Sequence, residues 1–158
     1  MNQENQSLEN QWSRFECVAN GESSVIGCMF PGEINVDKAA YPNHVFIGYG
    51  YGEEDSGRLP NAEEWAKIDS IERTISGDLK KHDLGLLLFT IANDGYYQWN
   101  IYSKFGDKTA LTLIETFKNS STVPKIDVFD YSSSFDSNWN AYEPIREIIR
   151  KALGKATG

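Results

Sequence analysis

Cations, histidines, cysteines and long apolar runs are all in short supply, and each shortage closes off a class of function. Fifteen Lys and Arg against 23 Asp and Glu leave a formal net charge of −8 over 158 residues. That is the wrong sign for a nucleic-acid binder, whose affinity comes mainly from Lys and Arg displacing counterions. The longest apolar stretch, Leu84 to Ala92, includes Gly85 and Thr90 and falls far short of the roughly 20 residues that a membrane-spanning helix needs. The opening MNQENQSLENQ has only Met1 and Leu8 as apolar residues and no Lys or Arg, so neither region of a secretory signal is visible. These absences lead us to expect a cytoplasmic protein with no nucleic-acid and no membrane partner. Its organisation is expected to be a disordered tail over 1–11, one domain over 12–154 and a short tail over 155–158.

The two cysteines cannot bridge if the first hairpin forms as the sequence suggests. Asn20-Gly21 between alternating apolar runs is a strong signal for a two-residue hairpin turn. In that register Cys17 faces Ser24, and Cys28 lies roughly 13 Å further along the strand at about 3.3 Å per residue. A disulfide needs Cα atoms within about 7 Å. The same parity gathers Phe15, Cys17, Ala19, Ile26, Cys28 and Phe30 on one sheet face, so both thiols read as small core residues.

Catalytic and ligand motifs are also missing. There is no H-x-x-x-H, C-x-x-C or G-x-S-x-G, and His44 and His82 are the only histidines, so no recognisable zinc site exists. Gly48-Tyr-Gly50-Tyr-Gly52 has the look of a phosphate loop, but Glu53, Glu54 and Asp55 follow it and would repel the anion that backbone N–H groups hold in such a loop. The same three carboxylates lack the spacing of a calcium loop. No catalytic residue, metal or cofactor is expected.

What is present is a regular succession of elements. After the hairpin (Trp12–Ala19, Glu22–Phe30) comes a strand over His44–Tyr51 with Val45, Ile47, Tyr49 and Tyr51 on one side and Phe46 on the other. Asn61 and Glu64 form an N-x-x-E capping pair before a helix over Ala62–Leu79, with Trp65, Ile68, Ile71, Ile75 and Leu79 at helical spacing. Leu84–Ala92 suits a central strand covered on both faces, turning at Asn93-Asp94-Gly95 into the strand Tyr96–Ser103. Asp107 is placed to cap a second helix with Ala110, Ile114 and Phe117 on one face and Leu111 and Leu113 flanking it. A strand follows Pro124, then a Ser132–Ser134 loop, then a helix from Pro144 through Ile145, Ile148, Ile149 and Ala152 that stops at Gly154. The order β-β-β-α-β-β-α-β-α contains a ferredoxin-like βαββαβ core with an added N-terminal β-hairpin and C-terminal helix. The expected class is α+β, with the helices on one face of a mainly antiparallel sheet.

Charge is unevenly shared along the chain. Residues 1–79 hold 14 acidic and 5 basic side chains, net −9, and residues 80–158 hold 9 and 10, net +1. Such a surface either steers a basic partner or simply keeps the protein soluble. If it binds, Glu53, Glu54, Asp55, Glu63 and Glu64 are the candidate contacts.

Leu59-Pro60 before an acidic-capped helix, the aromatic strand with Trp99 and Tyr102, and Asp136-Ser-Asn-Trp139-Asn-Ala-Tyr142 resemble domain of unknown function 695. That family resembles in fold the regulator-of-ribonuclease-activity B group, whose acidic members bind and inhibit a ribonuclease. The resemblance implies no established catalysis. The Trp139 and Tyr142 rings suit a structural role under the sheet edge, with the indole N–H or phenol O–H bonding a backbone carbonyl. We therefore expect a non-catalytic protein-binding domain, an inhibitor or immunity-type antagonist of a basic enzyme such as a nuclease. The alternative is a small-molecule binder or minor enzyme with a pocket lined by Tyr97, Trp99, Trp139 and Tyr142, and a third reading is a structural oligomerisation module.

Overall fold

Local signals in the chain reappear as elements across the residues that the computed structural model describes: 12–19, 22–29, 37–52, 58–121 and 129–157. These are strands β1 (Trp12–Ala19), β2 (Glu22–Met29) and β3 (Asn43–Gly50), then helix α1 (Ala62–Lys81). Strands β4 (Gly85–Asn93) and β5 (Tyr96–Ser103), helix α2 (Asp107–Lys118), strand β6 (Phe129–Phe135) and helix α3 (Glu143–Thr157) follow. The strands form one antiparallel sheet in the order β1-β2-β4-β5-β3-β6. Within the βαββαβ unit from β3 to β6, the neighbours run second, third, first, fourth strand, which is the ferredoxin-like arrangement. The hairpin extends this sheet beyond β4, and α3 is appended after β6.

Turn and cap chemistry account for the joints. Cys17 pairs with Ser24 and Ala19 with Glu22, the register expected for a two-residue loop, and both cysteines are free. The β4–β5 loop is Asp94-Gly95, with φ 55° and 83°, as a type I′ turn requires. The α1 capping box is complete: Glu64 N donates to Asn61 Oδ1 at 2.8 Å and Asn61 N donates to Glu64 Oε1 at 2.9 Å. At α2 the expectation fails. Gly106 is the residue before the helix and makes no side-chain cap, while Asp107 is the first helical residue and accepts a hydrogen bond from the Ser133 hydroxyl. A carboxylate there still meets the positive end of the helix dipole.

The sheet is covered on both faces, which corrects the expected one-sided arrangement. On the first face, Val45, Ile47 and Tyr49 of β3 and Tyr97, Trp99 and Ile101 of β5 pack with Ile68, Ile71 and Ile75 of α1 and Leu113 and Phe117 of α2. On the second, Ile26, Cys28, Leu88, Phe89 and Tyr102 pack with Trp139, Tyr142 and Ile149. Helix α3 lies on this second face because the strongly apolar β4 and the β2 residues Ile26 and Cys28 would otherwise expose their outer side. Leu111, expected beside the core, is 54% exposed.

An irregularity in β4 makes the two faces fit. Leu87 pairs with Ile101 and Phe89 with Asn100, leaving Leu88 as an extra residue. Such a bulge inverts side-chain alternation beyond it. Leu86 and Leu88 before the inversion and Phe89 and Ile91 after it thus all reach the second face.

Two further expectations are corrected. Ser132–Ser134 is part of β6, pairing with Val45, Phe46 and His44 of β3; polar residues suit a strand at the rim of a sheet, where water replaces a packed neighbour. Helix α3 begins one residue before Pro144 and runs through Gly154 to Thr157, so the expected tail from 155 is helical to that point. The tail over 1–11 lies outside the described residues.

Candidate functional site

Of the five acidic candidates, Glu53, Glu54 and Asp55 lie outside the described residues. Glu63 is exposed in the first turn of α1. Glu64 is engaged internally. Besides its cap role it takes both arms of the Arg58 guanidinium at 2.5 and 3.0 Å, and that pairing holds its carboxyl below the usual range. A bidentate, charge-assisted contact of this kind fixes geometry as well as charge. The same pattern recurs along α1, where Asp69 and Glu72 receive Arg14 at 3.1 and 3.3 Å.

Glu72 is the centre of a polar cluster on the first face. It accepts hydrogen bonds from the Trp99 indole at 3.3 Å and the Tyr97 hydroxyl at 3.4 Å. Arg14 of β1 lies 5.0 Å above the Trp65 ring, so one cation ties the hairpin to α1. Burial raises the Glu72 carboxyl above its ordinary value, and the Arg14 charge and the two ring donors only partly offset it. The Tyr97 hydroxyl is pushed upward too, first by burial and then by the Glu72 charge.

A second cluster sits on the opposite face. Asp136 Oδ1 accepts the Asn140 N–H at 2.8 Å, and Oδ2 accepts the Ala141 N–H at 3.0 Å and the Tyr102 hydroxyl at 2.7 Å. Desolvation works against the charged form, but the Tyr102 hydroxyl and the two backbone donors outweigh it and hold this carboxyl below its usual range. The turn they stabilise carries Trp139 at φ 57°, where its indole N–H donates to the Tyr41 carbonyl at 2.9 Å. That is the backbone bond expected for this ring. His44 stacks on Tyr102 at 5.2 Å, and its Nε2 meets Asn100 Oδ1 at 2.8 Å.

The four aromatic candidates therefore do not share a pocket. Tyr97 and Trp99 belong to the first core and Trp139 and Tyr142 to the second, and all four are at most 4% exposed. Burial pushes the Cys28 thiol up to about 11, with a counteracting hydrogen bond to Tyr142, so it behaves as an inert core group. Among the described residues no three His, Cys, Asp or Glu converge as a metal site, and no helix is long and apolar enough to cross a membrane. An open groove between α1 and α2 is lined by residues including Thr74, His82, Lys108, Leu111 and Glu115, and it includes none of the acidic or aromatic candidates.

The Glu72 and Asp136 networks escaped the reading of the chain because their long-range members stand 25 to 58 positions apart. One signal was available: strand parity puts Tyr97 and Trp99 on the same side, facing the helix that carries Glu72. The Asp136 contacts also give a physical reason for the D-x-x-W-x-x-Y spacing, since the carboxylate closes the turn that aims Trp139 into the core.

A family model, the family of unknown function DUF695, matches residues 10–144. No curated protein matches the sequence.

Proposed function

From a chain that belongs to the DUF695 family, we propose a non-catalytic protein-binding domain that presents its acidic amino-terminal half to a basic partner. The observation that carries the reading is the net −9 of residues 1–79 against +1 for the remainder. Surface charge of one sign accelerates encounter with the opposite sign and discourages wrong partners. The carboxylates are engaged within the fold rather than poised for catalysis. Glu64, Glu72 and Asp136 each accept two or more donors from their own chain. A general acid or base needs a proton path to a substrate within hydrogen-bond reach, and these groups use their lone pairs to hold the fold together.

The partner class rests on an inferred likeness of fold to the regulator-of-ribonuclease-activity B group. It is a basic enzyme of the nuclease type, and this domain acts as its inhibitor or immunity-type antagonist, working in the cytoplasm. A likeness of fold supplies the class and no more. Glu53, Glu54, Asp55 and Glu63 are the contacts, while Glu64 is replaced in that role by its structural tie to Arg58. The test is affinity capture with the wild-type chain and with the fourfold variant E53K, E54K, D55K and E63K. A basic protein recovered by the wild type and lost by the variant supports the proposal. Equal recovery by both removes the acidic half from the account.

A further inference from the structure

The two rims of the sheet are protected very differently. The β1 rim carries Arg14 and Glu16, and Arg14 folds over α1 onto Trp65. The β6 rim reads FDYSSSF, with no Lys and no Pro, the residues that usually keep a strand edge from pairing with another chain. Among the described residues, β6 pairs on one side only, with β3.

The register tells which backbone groups point outward. Asp136 N donates to the Pro42 carbonyl at 2.8 Å, and residue 136 stands opposite 42 in the pairing that sets Phe135 against Asn43. Hydrogen-bonded and non-hydrogen-bonded pairs alternate along an antiparallel ladder. The even residues Asp130, Ser132 and Ser134 therefore bond to β3, and Phe129, Tyr131, Ser133 and Phe135 turn their N–H and C=O groups away from it. Two of those four carry the exposed aromatic rings of this strand, Tyr131 at 48% and Phe135 at 76%.

We propose that this rim pairs with the β6 rim of a second copy, in antiparallel register about a two-fold axis through Ser132, to form a continuous twelve-stranded sheet. In that register Phe129 stands opposite Phe135 of the other copy and Tyr131 opposite Ser133, so every outward backbone group of the strand finds a partner. Tyr131 and the other copy's Phe135 become diagonal neighbours on one face, within reach of aromatic contact. Asp130 falls opposite Ser134, so no like charges meet across the axis. A strand that complements itself residue by residue selects its own copy over an unrelated peptide.

Sedimentation equilibrium tests this on the whole chain. The wild type is expected to approach twice its 17.8 kDa mass as concentration rises. Added salt should strengthen the association, because two copies of charge −8 repel at long range and screening relieves the repulsion. Phe135→Lys should be monomeric with an unchanged circular dichroism spectrum. Ser133→Pro supplies a second variant that removes an outward N–H and leaves the ladder to β3 intact. A wild type that stays at 17.8 kDa through the micromolar range overturns the proposal, as does a dimer that both variants leave unchanged. Salt also separates this reading from the acidic docking surface, since binding of a basic partner weakens as salt rises.

Discussion

Each face of the sheet holds a half-buried, hydrogen-bonded carboxylate, and the two are shifted in opposite directions. On the first face Glu72 has neutral ring donors at 3.3 and 3.4 Å, with Arg14 at 3.3 Å, and burial prevails, raising its pKa. On the second face Asp136 has three donors between 2.7 and 3.0 Å, two of them backbone N–H groups, and its pKa is lowered. The number and closeness of donors decide the direction for two groups that are both partly desolvated. The first face is a packed core that tolerates a charge at its margin, whereas the second is organised around one.

Trp139→Ala breaks the second face most severely. It removes a ring that is 1% exposed together with the bond to the Tyr41 carbonyl, and a loss of about 3–5 kcal/mol is expected, read as a drop in the urea midpoint. Asp136→Ala follows at about 1–3 kcal/mol, because the Tyr102 hydroxyl and two backbone donors lose their acceptor. Phe89 and Tyr142 pack nearby, and their near-ultraviolet dichroism reports whether the loss is confined to that face.

Glu72→Gln has a smaller effect and sharpens the contrast through pH. For Asp136 the folded carboxylate holds its proton less tightly than the unfolded one. Its stabilisation is present above the ordinary value of about 3.9 and is lost as the pH falls through the lower folded value. For Glu72 the folded group holds its proton more tightly, so its stabilisation is present below about 4.3 and is lost as the pH rises through the raised folded value. Glu72→Gln should therefore flatten the stability curve on its neutral side, and Asp136→Asn should flatten it on its acid side. Urea titrations across pH 2 to 7 check both; a common slope change for the two variants would refute the opposite shifts. Leu111→Lys is expected to change stability by less than about 0.5 kcal/mol, since this residue is 54% exposed.

Period-two and period-3.6 patterns carried most of the fold. Val45, Ile47 and Tyr49 alternate as expected, Ile68, Ile71 and Ile75 line α1, and Asn61 caps it with Glu64. Three things could not be read from pattern. The extra residue Leu88 in β4 is one apolar residue among several, so nothing local marks the bulge. Ser132–Ser134 is polar because β6 is at a rim, and composition alone cannot separate a rim strand from a loop. The tie between Glu64 and Arg58 joins a helix start to the loop before it, and only the fold brings the guanidinium round to meet the cap. That last contact matters for the proposed site, since it engages one of the candidate carboxylates within the fold.

The most direct test of the docking proposal is the association rate between this chain and any basic protein that the affinity capture recovers, measured as salt is raised. Attraction between the acidic half and a cationic surface predicts a steep fall in rate as the charges are screened. A rate indifferent to salt would show that the carboxylates of residues 1–79 play no part in recognition.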